Sequence, residues 1–205
     1  MQKKERLGFN IVLLGQIASG KDTQAKILMK KYAMVPVETG KFTRMLMKAK
    51  TKDGELFRKI AGSGKPAPVS YIKNYLASEI AKKPKNKDIL FFGGPRLKPE
   101  AQLLKKLLTE AKQNFMVFYI TLPDAEVYKR SFARKEGSGA ALFKMLDAEN
   151  LIKKRINWHK TQVSKTVNYF DSLGKLKKIN GKQPVEKVAA DISKAVLSWK
   201  KRFSA

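Results

Sequence analysis

Short apolar runs alternate with helical stripes along this chain. Phe9–Leu14, Ile89–Phe92 and Phe115–Thr121 are apolar segments of strand length, and Val35–Val37 and Leu176–Ile179 are weaker candidates. Between them, helical spacing covers Gly20–Tyr32, Gly40–Lys50, Gly54–Ala61, Val69–Lys82, Pro99–Lys112, Asp124–Lys135, Asp147–Ser172 and Pro184–Lys201. In the last of these, Val185, Val188, Ile192 and Val196 share one face, which predicts core contact. Strand, helix, strand in repetition predicts an α/β fold: a central parallel five-stranded sheet with helices on both faces, joined by right-handed crossovers. Ligands of such a sheet sit at the carboxyl ends of the strands.

Two segments break the alternation. Thr39–Pro68 is helical without an intervening strand and carries the turn Gly62-Ser-Gly64-Lys-Pro, and Glu136-Gly-Ser-Gly-Ala-Ala interrupts the chain between two helices. Both predict additions to a rigid sheet, and two glycines at a helix junction predict a hinge. At 205 residues the chain suffices for one domain with a full core. No apolar run approaches a membrane span, and the start is too short and too soon broken for a signal sequence, so a cytoplasmic protein is expected, with no membrane partner. Cysteine is absent, which excludes disulfides and cysteine-ligated zinc.

A formal charge of +27 invites nonspecific polyanion binding. Its distribution restrains that reading, because the 36 lysines are scattered over every segment, as on a solvated surface. The 8 arginines are more informative. Where lysine serves for generic charge, arginine marks places that need a planar bidentate fork.

The densest chemistry follows the first strand, in Gly15-Gln-Ile-Ala18-Ser19-Gly20-Lys21-Asp22-Thr23. Glycines permit the turn, the helix that follows points its unpaired N–H groups back at the strand end, and Lys21 adds a mobile cation; together they make a phosphate cradle. The strict motif puts Ser or Thr directly after the lysine, and here Asp22 takes that place. A plain strand-to-helix turn is the bland alternative.

From Phe9 to Leu197 the chain resembles the adenylate kinase family of nucleoside monophosphate kinases. Five stretches carry the likeness in the family's order: Ile11-Val-Leu-Leu-Gly with Gly20-Lys21-Asp-Thr-Gln24; Thr39-Gly40-Lys-Phe-Thr-Arg44; Gly93-Gly94-Pro95-Arg96 with Pro99-Glu100-Ala101; Lys129-Arg130-Ser-Phe-Ala-Arg134; and Ile152-Lys-Lys-Arg155 with Gly181-Lys-Gln183-Pro184-Val185. The resemblance implies one P-loop kinase domain: a core of 8–38, 69–135 and 147–205, a monophosphate-binding subdomain at 39–68 and a short lid at 136–146. It implies transfer of a phosphoryl group from ATP to a nucleoside monophosphate, with Mg2+, by a monomer. Such transfer demands positioning and charge neutralisation more than covalent chemistry.

The roles it implies are these. Gly15, Ala18, Ser19, Gly20, Lys21, Asp22 and Thr23 wrap the donor's phosphates. Arg130, Arg134 and Gln183 border the donor nucleotide. Thr39, Gly40, Arg44, Lys65, Pro66, Ala67, Gly93, Gly94, Arg96 and Glu100 hold the acceptor, and Lys144 and Arg155 close over both from the lid side. Lys21, Arg96, Arg134, Lys144 and Arg155 are the implied catalytic set. Five of the eight arginines fall on these positions; Arg6, Arg58 and Arg202 do not.

Three departures from the family touch the metal. Phe92 stands where the family has a magnesium-binding aspartate, Lys41 replaces an acidic residue, and a lid aspartate pair is reduced to Leu146 and Asp147. Asp22 is the candidate replacement ligand for Mg2+; its plainer reading is a helix cap. Thr39 favours AMP as acceptor, whereas a carboxylate at Glu100 only accepts hydrogen bonds and matches guanine's two donors, so GMP and CMP stay open as alternatives. A catalytically impaired nucleotide-binding paralogue with a nucleic-acid role is the competing function. His159 reads as a surface or packing residue, Trp158, Met45 and Met47 read as packing, and the lid lacks the cysteine and histidine for zinc.

Overall fold

The computed structural model describes residues 4–63, 67–133 and 148–204. Five parallel strands form one sheet in the order β2-β3-β1-β4-β5: β1 (Asn10–Gly15), β2 (Met34–Glu38), β3 (Asp88–Phe92), β4 (Phe115–Thr121) and β5 (Leu176–Asn180). Strand-length apolar runs bounded by helices leave no other arrangement for β1, β3 and β4, whose side chains are buried on both faces. The outer strands are more polar. Lys177 and Lys178 of β5 are exposed, which explains why the apolar signal there is faint.

Along β1 the side chains alternate with the pleat. Ile11 and Leu13 join Leu28 of α1 (Lys21–Lys31) and Ile192 and Val196 of the carboxyl-terminal helix in one core. Val12 and Leu14 face Leu76 of α4 (Val69–Ala81) and Leu104 of α5 (Lys98–Glu110) in the other. Each fully buried aliphatic side chain contributes on the order of 2 kcal/mol, so the two cores hold the strand ends rigidly. Between β2 and α4 stand α2 (Thr39–Lys48) and α3 (Lys52–Ser63). After β4 come α6 (Asp124–Ala133), α7 (Ala148–Trp158), a π-helical segment His159–Val163 and α8 (Ser164–Ser172); α9 is Val185–Ser204.

Three expectations need correction. The stretch Asp147–Ser172 is not one regular helix, because five residues adopt the π form in its middle. Val188, Ile192 and Val196 are buried, yet Val185 is 44% exposed: it begins α9, beyond the reach of the sheet. Met45 is 59% exposed and so is not a core residue. Among the described residues no helix is long and apolar enough to cross a membrane.

Candidate active site

Register brings the functional segments to one rim. Gly15 pairs with Ile120, Phe92 with both Leu13 and Glu38, and Asn180 with Thr121, so the loops that follow β1, β2, β3 and β5 leave the same edge of the sheet. The first of them, Gln16 to Gly20, is tight. Ser19 N–H donates to Gln16 O at 3.3 Å, and Ala18 and Gly20 have φ of 58° and 87°. A left-handed Gly20 at the N-cap is what lets the chain enter α1 directly from the strand, and no side chain caps that helix. First-turn N–H groups at such a helix start point toward the space an anion would take. Asp22 lies in the first turn of that helix, where a carboxylate also complements the helix dipole.

Two polar atoms point into this loop without a hydrogen-bond partner, Gln16 Oε1 and Ser19 Oγ, both buried. Buried groups of that kind belong where a ligand completes them. The Lys21 side chain is 18% exposed, with Nζ 3.6 Å from Asp22 Oδ1. Gly181 ties the β5 loop to the same place: a methyl group there would lie 2.6 Å from Ile120 Cγ2, 2.7 Å from Thr121 O and 3.5 Å from Ser19 O. Gln183 is held by its side-chain amide, which donates to Asn180 O at 3.0 Å and to Asp191 Oδ2 at 2.8 Å. Arg130 pairs with Glu126 one turn earlier at 2.8 Å and holds that carboxyl below its ordinary pKa.

Beside the loop, at the ends of β2 and β3, side chains do the building. Arg44 of α2 and Arg96 converge on Gly40: its missing Cβ would stand 3.2 Å from Arg44 Nη1, 3.9 Å from Arg96 Nη2 and 3.5 Å from Glu38 Oε1. Thr39 meets Gly94, where a side chain would strike the threonine hydroxyl. Phe42 stacks on Tyr75 of α4, 4.2 Å between ring centres and 5° from parallel, which anchors α2 to the core. Arg96 is fixed at three points. Its N–H donates to Glu100 Oε2 at 2.8 Å, its Nε–H to Gly93 O at 2.7 Å, and its carbonyl accepts from Thr166 Oγ1 at 3.1 Å.

The surrounding protein desolvates Arg96 and lowers its pKa; Glu100 and Glu38 oppose this, and the charges of Arg155 and Arg44 add to it. Three guanidiniums thus share one electrostatic neighbourhood. Arg155 is itself lowered by desolvation. Glu100 is buried, and its carboxylate also accepts from Leu97 N–H at 3.4 Å; burial raises its pKa, and the two backbone donors pull the other way. One oxygen of Glu100 is therefore committed to starting α5.

His159 is buried in the π segment and stacks on Tyr119, with its Nε2 unpartnered. Burial holds its pKa down to about 4; Asp124 pulls up and Lys21 pushes down. Asp124 stands 35 residues away in sequence, too far for any local motif to announce it.

Ala67 is described, whereas Lys65, Pro66, Arg134, Lys144, Leu146 and Asp147 lie outside the described residues. Of the remaining arginines, Arg6 pairs with buried Asp88 at 3.2 Å, and Arg58 Nη1 donates to the carbonyls of Met47 and Ala49. Each is engaged through a single guanidinium nitrogen, in a structural contact. Glu38, Thr166 and Tyr75 escaped sequence reasoning, since nothing in their local spacing marks them. Among the described residues no three His, Cys, Asp or Glu side chains group to hold a metal. Phe92 packs against the core. The Asp22 carboxylate, in the first turn of α1 with half of its side chain exposed, is an oxygen donor of the type magnesium takes.

A model of the family described as adenylate kinase matches residues 13–175. Adenylate kinase of Bacteroides fragilis is 34% identical over 188 residues, 91% of this chain and 97% of that protein. The adenylate kinase of Parabacteroides distasonis is 31% identical over 188 residues, with the same coverage. That of Methanothrix thermoacetophila is 28% identical over 210 residues, 91% of this chain and 98% of its own.

Proposed function

The chain belongs to the adenylate kinase family and is an ATP-binding nucleoside monophosphate kinase, and from that premise we propose that its reaction is ATP + AMP = 2 ADP, carried out with Mg2+ by a cytoplasmic monomer. The convergence of Arg44 and Arg96 beside Gly40, on the same edge of the sheet as a phosphate loop with unpartnered buried oxygens, is the observation that carries the reading. Two phosphate chains brought together repel each other, and guanidinium forks on one side with backbone donors on the other offset that repulsion.

In this reading Gly15–Thr23 binds the donor's phosphates and Lys21 follows the transferred group. Arg44 and Arg96 orient the acceptor phosphate, and Arg155 spans the two. Thr39–Pro68 closes as the acceptor subdomain and residues 136–146, with Lys144, as the lid; Arg134 joins Arg130 beside the donor. Closure excludes the water that would otherwise take the phosphoryl group. Bound magnesium supplies charge neutralisation on the donor's phosphates, and Asp22 is the residue placed to contact its water shell. Because one Glu100 oxygen is committed to the backbone, the carboxylate has less to offer guanine, and AMP stands ahead of GMP. The charge of +27 adds nonspecific attraction to polyanions that salt removes.

A coupled ADP-formation assay with magnesium and AMP, GMP or CMP tests this directly. The expected result is turnover fastest with AMP. A clear GMP preference would overturn the base choice, and no turnover with any monophosphate would return the chain to a nucleotide-binding role. Asp22→Ala is expected to weaken magnesium dependence; an unaltered magnesium titration would exclude Asp22 as the contact.

A further inference from the structure

We propose that Glu38 is a placeholder anion in the acceptor clamp, a specificity-determining residue that yields Arg44 only to a ligand able to displace a carboxylate. The inference rests on the acceptor reading of Arg44 and Arg96 given above.

Glu38 ends β2 and stands at the N-cap of α2, where an acidic side chain ordinarily accepts the helix's first N–H groups. It makes no such bond. Instead the carboxylate reaches Arg44 Nη2 at 2.6 Å, with the Glu38 side chain 26% exposed and that of Arg44 59%. The same oxygen lies 3.5 Å from the point beside Gly40 on which Arg44 and Arg96 converge. The Tyr75 hydroxyl neighbours the Glu38 backbone from the core side and helps to fix where β2 ends. An anion is therefore already seated among the forks that a phosphate would use.

Glu38 also opposes the mutual repulsion of the three guanidiniums, as its effect on Arg96 records. Its single charge engages one fork, whereas a phosphate monoester presents two charges and three oxygens and engages both. Monoanions lose that competition, and phosphate monoesters win it at some cost in affinity. An exposed pair of this sort is worth up to about 1 kcal/mol, which corresponds to about fivefold.

The test measures inorganic sulfate binding by calorimetry and the KM and kcat for AMP in the wild type, in Glu38→Gln and in Glu38→Ser, two replacements that drop the charge in different shapes. Sulfate should bind about fivefold tighter in both, and the KM for AMP should fall by about the same factor, with the change carried by KM and not by kcat. The gain should vanish in an Arg44→Ala background, a coupling that a merely structural role of Glu38 would not produce. Unchanged or weaker sulfate binding in both variants, or a gain that survives the loss of Arg44, would overturn the placeholder. Because sulfate binding needs no turnover, the two readings separate: tighter sulfate with no AMP turnover by the wild type upholds the placeholder and counts against the reaction, whereas normal turnover with unaltered sulfate affinity sinks the placeholder alone.

Discussion

The loop after β1 and the clamp after β2 and β3 leave the same rim of the sheet, yet they are made of different material. The loop is built from backbone: left-handed Ala18 and Gly20, a helix start with glycine at its N-cap, and two buried side-chain oxygens, Gln16 Oε1 and Ser19 Oγ, that lack partners. The clamp is built from long side chains, and those at its centre are already engaged. Arg44 holds Glu38, Arg96 holds Gly93 O, and Glu100 holds two backbone donors. Backbone donors cannot rearrange cheaply, so the loop is preorganised for one kind of ligand. A clamp made of side chains trades partners when its ligand arrives, and this gives it room to discriminate.

The hardest blow to that contrast falls on the one side chain the loop depends upon. Lys21→Ala should lower kcat about 100-fold or more, the scale of removing one preorganised donor to the transferred group, while the KM for AMP moves little. Retention of full turnover would mean that the backbone cradle suffices. On the clamp, Arg44→Ala should raise the KM for AMP by about tenfold or more and leave the KM for ATP within about twofold, since a charged hydrogen bond to phosphate is worth about 1.5–3 kcal/mol. If both nucleotides suffered equally from Arg44→Ala, the two halves would not be separate devices.

The difference in material also decides what could be read from the sequence. All five strands were legible, three from continuous apolar runs and two from fainter ones, because burial on both faces of a parallel sheet leaves little choice of residue. The phosphate loop was legible because glycine spacing reports backbone geometry. The clamp was legible only by its arginines and its likeness to a family. Its carboxylates were only partly legible: nothing in local spacing tells that one oxygen of Glu100 also starts α5, or that the Glu38 side chain turns to Arg44. Val185 was assigned to core contact from periodicity, which says nothing about how exposed the first turn of a helix is. The π segment at His159–Val163 has no periodicity signal because only one turn is affected.

Glu100 offers a sharper, smaller test, since it is the clamp residue most like a piece of backbone. Glu100→Ala strands the Arg96 and Leu97 N–H groups and should cost about 2 kcal/mol in urea unfolding. Glu100→Gln keeps an acceptor for both donors and should recover most of that loss. The amide also offers adenine a donor and an acceptor, so its ratio of AMP to GMP turnover should rise. Equal destabilisation by both substitutions would show that charge, and not the capping bond, matters there.

The smallest effect lies beneath the loop and depends on pH. His159 has a folded pKa of about 4, below the ordinary 6.5, because burial against Tyr119 disfavours the cation. A base whose folded pKa is depressed binds its proton earlier in the unfolded chain, so stability is complete above about pH 6.5 and drains as pH falls toward 4, where the folded state titrates too. Between pH 7.5 and 5.5 this one group should remove about 1 kcal/mol, given 1.36 kcal/mol per unit of proton uptake. Asp124 and Lys21 face the ring with opposite sign, and Lys160 pairs with Asp124, so the histidine dominates the slope in this window only if that ion pair stays intact. His159→Phe keeps a ring against Tyr119 and removes the titration. Urea midpoints at the two pH values should therefore draw together in the variant and stay apart in the wild type. Parallel behaviour of the two proteins would mean that the ring is hydrated when folded, and the region beneath the loop would then be less rigid than its backbone geometry implies.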